Sequence, residues 1–461
     1  MSRPKESSLK SYFDEIAEAD GDNECKDWLS RLFDNKAEVT DCVAILLEWR
    51  GPGTYVGFVK GSFNFGFRVR FAKGFPDALV RFPKPGHTAT TLRDEKVENE
   101  AQAIEYLRQN TTIPLPTIHE WGTTTKPTTK TAAMDLLQFG PFIIMDFIEG
   151  TLLSTILNEP NQEDMVLNLN IGNTILDKIY LQIASYLLQI SRLQLPHIGA
   201  ISKDDRANWV VRRPLTYNIN ELATVALYPQ DRFPAAPVAH ASEYFNLVAN
   251  EHIHHLWTQR NLADDETIVR DRFIARNRFA QLIPKYCIND TGPFIPFCDD
   301  LRPANMLVNP ETLEITAVLD LEFTNSMPAQ FAYDPPWWLL LSGPELWLDR
   351  CALQEFIALY EPRMEQFLQA LEHVEAKSYI LKQSSTPCLS DMMRDSWRSR
   401  RFWFNYAARK SFEVDSIYWA TLHDEGVILL DDEANAGLEA LVERKMMQLK
   451  VYQEQCSALS S

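Results

Sequence analysis

From Lys26 to Trp49 the apolar residues fall at Trp28, Leu29, Leu32 and Phe33, then at Val39, Val43, Leu46 and Leu47. Residues on one helix face recur every 3.6 positions, so this spacing predicts two short helices. The preceding residues 1–24 are mostly polar and read as loosely ordered. Gly51-Pro52-Gly53 ends the helical pattern. Short apolar runs follow at Tyr55–Lys60, Phe65–Phe71 and Ala78–Phe82, which predict three strands with a tight turn at Gly61-Ser62-Phe63-Asn64 between the first two. Pro83-Lys84-Pro85-Gly86 stops the third. Asp94–Asn110 carries Val97, Ala101, Ile104 and Leu107 on one stripe and predicts a helix. Thr117–Trp121 and Phe139–Phe147 predict two more strands, separated by a solvated loop over the Thr/Lys-rich run Thr123–Thr131.

After Gly150 the pattern becomes helical. Ile175–Leu195 places Leu176, Ile179, Ile183, Leu187 and Ile190 in step. Residues 196–240 are Pro-rich and irregular, and 241–285 hold at least two helices. Short strands are expected at Phe294–Phe297, Met306–Asn309 and Ile315–Leu319. From Trp337 onward helices dominate, with Leu353–Glu375 and Glu433–Gln453 the clearest. The reading is an α+β chain in three parts: a helical extension over 1–50, a small β-rich lobe over 51–149 and a large, mainly helical lobe over 150–461.

Composition narrows the class. The chain has 461 residues, 45% hydrophobic and 23% charged, as expected of a globular protein rather than a disordered one. Its 63 acidic and 45 basic residues give a net charge of −18, which disfavours nucleic acid and anionic lipid as general partners. Seven scattered cysteines with no CxxC argue against a disulfide framework and a structural zinc site. With no apolar run of membrane-spanning length and no signal-like start, the expectation is a cytoplasmic protein without membrane contact.

The candidate chemistry lies in Phe297-Cys298-Asp299-Asp300-Leu301-Arg302-Pro303-Ala304-Asn305 and in the strand end Leu319-Asp320-Leu321-Glu322. An Asp and an Asn five positions apart, followed by a hairpin that ends on a second Asp, supply what phosphoryl transfer requires. One carboxylate accepts the proton of an attacking hydroxyl, and an amide oxygen and another carboxylate suit Mg²⁺, a hard cation that takes oxygen ligands. A two-carboxylate hydrolase using Asp299 or Asp300 with Glu322 is a second reading, and GxxxxGK[ST] is absent. Asp299 reads as a solvated neighbour and Cys298 as a small buried hydrophobe. Trp337-Trp338 reads as packing, and His252, His254 and His255 as surface histidines. Asp334 fits a helix cap and a substrate contact equally.

These residues resemble the aminoglycoside phosphotransferase family, whose HGDxxxxN loop and IDWE-type strand end are similar to Cys298–Asn305 and Leu319–Glu322. The resemblance implies a two-lobed, protein-kinase-like fold and transfer of the γ-phosphate of ATP, with GTP as the other candidate, to a hydroxyl-bearing small molecule with Mg²⁺. It makes Asp300 the base, Asn305 and Asp320 the metal ligands, and Arg302 a cation beside the transferred phosphate. It places Gly61, Ser62, Phe63 and Asn64 in the phosphate-covering loop. Arg81 takes the place of the strand lysine, with Glu100 as its partner. Met145 and Phe147 lie in the inter-lobe segment that meets the nucleotide base. Two positions depart from the family pattern: Cys298 replaces a histidine and Arg81 a lysine. A non-catalytic, ligand-binding scaffold therefore stays open beside the enzyme.

Overall fold

The computed structural model describes residues 13–72, 74–126, 129–162, 164–378, 387–424 and 436–459. Helices α1 (Glu15–Asp34) and α2 (Lys36–Leu46) lead into strands β1 (Thr54–Lys60), β2 (Asn64–Arg70) and β3 (Ala78–Pro83). Helix α3 (Arg93–Asn110), strand β4 (Ile118–Gly122), helix α4 (Thr131–Leu137) and strand β5 (Phe142–Asp146) complete the small lobe. Its five strands form an antiparallel sheet in the order β1-β2-β3-β5-β4. Successive strand residues point to opposite faces, and the two faces have different jobs. Phe65, Phe67 and Val69 of β2, Val80 and Phe82 of β3, and Phe142 and Ile144 of β5 pack with Trp28, Leu32 and Val43 of α1 and α2 in one core. The alternate residues Ile143 and Met145 of β5 pack with Val97 and Ala101 of α3, with Leu79 of β3 against them. Arg81 belongs to this second set, so the alternation that buries Val80 and Phe82 outward aims Arg81 into the cleft. Gly66 is required where β2 crosses β3, because a Cβ there would lie 2.6 Å from the Val80 carbonyl oxygen.

Helix α1 begins earlier than the sequence suggested. Asp14 accepts hydrogen bonds from the Ile16 and Ala17 N–H groups at 3.1 Å and from the Arg260 guanidinium at 2.8–3.0 Å. That cap and anchor hold a polar first half that periodicity could not reveal. Helix α4 also escaped the sequence reading. It follows the Thr/Lys run directly and buries only Ala132, Ala133 and Leu136. The fifth strand starts at Phe142, not Phe139, after Gly140 in a left-handed conformation (φ 125°) and Pro141, which has no N–H to give a ladder.

The large lobe opens with β6 (Thr151–Leu152), α5 (Leu153–Leu157) and α6 (Asn173–Ile190). The stretch read as irregular contains β7 (Gly199–Lys203), β8 (Trp209–Val211) and α7 (Tyr217–Val225). Then come α8 (Ala241–Thr258), α9 (Glu266–Tyr286), β9 (Phe294–Phe297), β10 (Met306–Val308), β11 (Ile315–Val318) and β12 (Asn325–Pro328). β10 pairs with β11 as the expected hairpin, and β7 and β9 flank β12. Helices α10 (Ala329–Ala332), α11 (Pro344–Arg350), α12 (Leu353–Lys377), α13 (Leu389–Arg398), α14 (Arg401–Ala408), α15 (Val414–Ile417) and α16 (Leu438–Leu459) follow. The start of the sequence's last predicted helix, Glu433–Asn435, lies outside the described residues. The α+β, two-lobed architecture expected from the sequence is thus present. Among the described residues no helix is long and apolar enough to cross a membrane.

Two histidines expected at the surface are buried. His252 bonds Ser411 Oγ at 2.8 Å, and His255 bonds Gln259 Oε1 at 2.5 Å. Burial holds both rings neutral, pushing His252 down to about 3. His254, the third, is half-buried.

Candidate active site

The lobes enclose a cleft of about 550 Å³. Gly61, Ser62, Phe63, Asn64, Arg81, Glu100 and Met145 line it from the small lobe, and Asp300, Arg302, Asn305 and Asp320 line it from the large lobe. Eleven of the twelve residues singled out in the sequence therefore meet in one cavity. The twelfth, Phe147, is not among the lining residues, and its ring lies under the Arg68 guanidinium at 4.1 Å.

The loop after β9 is shaped by its own backbone. Arg302 N–H donates to the Asp300 carbonyl and Asn305 N–H to the Arg302 carbonyl, both at 2.9 Å, and Pro303 starts a single 3₁₀ turn. The Asn305 side-chain amide then donates to Asp300 Oδ2 at 2.6 Å and to the Asp300 carbonyl at 3.0 Å. Arg302 Nε donates to Asp300 Oδ1 at 2.5 Å. Leu319 N–H donates to the Asn305 carbonyl at 2.8 Å, which fixes the end of β11 against the loop. Asp320 follows with φ of 52°, a left-handed conformation that Asp tolerates better than most residues. Burial raises the Asp300 carboxyl above its ordinary range, and the Arg302 and Asn305 bonds pull it part of the way back.

Cys298 sits behind this loop, its Sγ 3.9 Å from the Asp320 carbonyl oxygen and 4.0 Å from that of Glu322. Burial pushes the thiol well up, so it stays protonated and can donate weakly to both. It ties the loop to the strand end, a polar duty beyond that of a small hydrophobe. Asp299 is also more than a solvated neighbour. It is ion-paired to Arg409, with Lys410 Nζ at 3.8 Å, and its carbonyl accepts from Trp337 Nε1 at 3.1 Å. Asp334 caps no described helix and does not line the inter-lobe cleft. It is buried and accepts from Asn405 Nδ2 at 2.9 Å and from Ser396 Oγ, and burial pushes it up to about 7.

Behind the loop lies a buried polar cluster. Arg81 reaches Glu100 Oε1 with Nη2 and Asp320 Oδ1 with Nη1. Lys96, one turn before Glu100 on α3, contacts Glu322 Oε2 at 2.5 Å and donates to Asn64 Oδ1 at 2.8 Å. Asn64 Nδ2 in turn donates to Glu322 Oε2 at 2.8 Å. Burial alone would raise Glu322, yet Lys96 and Arg81 bring it below the usual carboxylate range. Glu100 stays raised by its burial. The cluster holds two cations, Arg81 and Lys96, against three carboxylates, Glu100, Asp320 and Glu322. That surplus of negative oxygen suits an added divalent cation. Asn305 and Asp320 fit the role of ligands, since the Asn305 amide oxygen and Asp320 Oδ2 have no described partner.

Sequence reading missed Lys96, whose signal was its position four residues before Glu100 on one helix face. It also missed Lys410 and Tyr217. Both line the cleft beside Asp299, the Lys410 ammonium 4.6 Å over the Tyr217 ring. The loop tip closes on the same place, with the Phe63 ring edge-on to Tyr217 at 5.4 Å and to Phe323 at 5.8 Å.

Residues 58–371 match the model of the APH phosphotransferase enzyme family, well over half of the chain. The chain belongs to this family. The chain is 25% identical over 259 residues to the Clavilactone A biosynthesis cluster protein Y of Ampulloclitocybe clavipes, covering 54% of each protein. It thus spans about half the length of that curated relative. Among solved structures, the Plasmodium vivax ethanolamine kinase aligns at 11% identity and a TM-score of 0.39, covering 87% of this chain and 82% of that one. The choline kinase of Cryptosporidium parvum Iowa II aligns at 12% identity and a TM-score of 0.39, covering 87% and 91%. Lys410, which follows α14 and lines the cleft, falls beyond the matched residues 58–371.

Proposed function

We propose that this APH family member transfers the γ-phosphate of ATP to a hydroxyl of a small molecule. The observation that carries the reading is the convergence of Asp300, Asn305 and Asp320 on one cleft, with the Asn305 amide 2.6 Å from Asp300 Oδ2. Asp300 would take the proton of the attacking hydroxyl. Its raised pKa leaves it a better base than an exposed aspartate, while Arg302 and Asn305 hold the carboxylate in one orientation. Arg302 also places a cation where charge builds on the transferred phosphoryl group. Asn305 and Asp320 would hold Mg²⁺, which when bound draws charge off the phosphate oxygens. Gly61-Ser62-Phe63-Asn64 would cover the phosphates, and Met145 would meet the base. The acceptor would enter beside Tyr217, Trp337 and Lys410, which line the part of the cleft next to Asp299.

A non-catalytic scaffold is the second reading, favoured by one observation: Arg81 occupies an oxygen of Asp320. An ATP-consumption screen against hydroxyl-bearing metabolites, with Asp300→Asn as control, separates the two. Acceptor-dependent turnover lost in the variant supports the enzyme. No turnover with any acceptor, or turnover that survives in the variant, contradicts it.

A further inference from the structure

A second cleft in the small lobe shares no lining residue with the inter-lobe cleft. It has a volume of about 540 Å³ and lies between α1 and the turn after β3. Lys26, Lys60, Lys84 and His87 line it, with Asp22 and Asp34 as its acids and Leu29 and Phe33 as an apolar wall. Its two sides meet in close backbone contact. Gly86 approaches Gly21 of α1 so closely that a Cβ on Gly86 would lie 2.1 Å from the Gly21 carbonyl oxygen. Lys84 N–H donates to the Phe63 carbonyl at 2.8 Å, and Thr88 N–H to the Lys84 carbonyl at 2.9 Å.

Lys84 is the unusual member. Only 3% of it is exposed, and among the described residues its ammonium has no hydrogen-bond or ion-pair partner. A buried cation without a counter-charge is costly and is normally found paired. Burial lowers its pKa, opposed by Cys25 and more weakly by Asp22, with Lys60 pushing the same way as burial, and all three of these residues line the cleft. Asp22 is taken by His87 at 3.1 Å. No ion pair engages Lys26 or Lys60 among the described residues. A pocket of three lysines is not the default surface of a chain with a net charge of −18.

We propose that this cleft is a binding site for a small phosphorylated organic molecule, its phosphoryl group held by Lys84, Lys60 and Lys26 and its organic part set against Leu29 and Phe33. The ligand supplies the counter-charge that Lys84 lacks, and the apolar wall rewards a carbon skeleton over a bare ion.

Two experiments on the whole chain test this. In crystals soaked with selenate, an anomalous peak beside Lys84 is expected; anomalous density confined to the inter-lobe cleft overturns the proposal. In solution, phenyl phosphate should bind more tightly than inorganic phosphate, and Lys84→Met and Lys60→Met should each weaken it about tenfold or more. Lys60 is exposed, so its variant keeps the measurement open if Lys84→Met folds poorly. Equal affinity in wild type and Lys60→Met overturns the site. A selenate peak without that loss marks an adventitious ion only, and phenyl phosphate binding no tighter than phosphate overturns the organic class. Neither readout involves turnover, so the result stands apart from the phosphotransferase reading.

Discussion

The two walls of the inter-lobe cleft hold their charges in opposite ways. On the small-lobe side, Arg81 is 10% exposed, Glu100 1% and Lys96 1%, and each is locked to a partner across the interface or within the small lobe. On the other side, Arg302 and Asp300 pair while 33% and 34% exposed. Buried ions gain much from each other and lose much when one is removed, whereas half-exposed ions are screened by water. The buried wall is thus a fixed frame joining the lobes, and the open wall is where a substrate can exchange places with existing partners.

That contrast sets the scale of what each substitution does. Asp300→Asn should reduce turnover about a hundred- to ten-thousand-fold, the usual weight of a positioned general base, and leave nucleotide affinity nearly unchanged. Steady-state kinetics with titrated nucleotide checks it. Arg81→Met removes the cation between two carboxylates and should cost about 3–5 kcal/mol in stability, read by urea denaturation. A loss near that of a surface pair would break the distinction between the walls. The pH profile should show activity falling on the acid side at a higher pH than an unperturbed aspartate gives, because burial raises Asp300 and only the deprotonated form accepts a proton. Arg302→Met removes a group that lowers that pKa, so the acid limb should move further up. The same variant should change stability by only about 1 kcal/mol or less, the smallest effect of the set.

The lobes and the loop from Cys298 to Asn305 were legible in the sequence because they rest on short-range signals. Strand alternation, the five-residue spacing from Asp300 to Asn305 and the hairpin ending at Asp320 all lie within a few dozen residues. What stayed hidden was long-range. Lys410 reaches Asp299 from more than a hundred residues away, and no local pattern marks it. The early start of α1 depends on Asp14 meeting Arg260, again a distant partner. His252 and His255 looked like surface residues because their stretch is polar, yet α9 and the turn before α15 cover them. Arg276 bonds the His252 carbonyl at 2.5 Å, and Ser411 bonds its ring. The substitution of lysine by Arg81 was visible, but the compensating charge of Lys96 was not, since only packing brings α3 onto Glu322.

The central claim is that Asp320 belongs to a metal-dependent nucleotide site and is not simply the partner of Arg81. Thermal unfolding of the wild type and of Asp320→Ala, each with ATP alone and with ATP plus Mg²⁺, tests it most directly. Mg²⁺ should add to the ATP-induced stabilisation in the wild type and add nothing in the variant. An equal Mg²⁺ response in both proteins would contradict it.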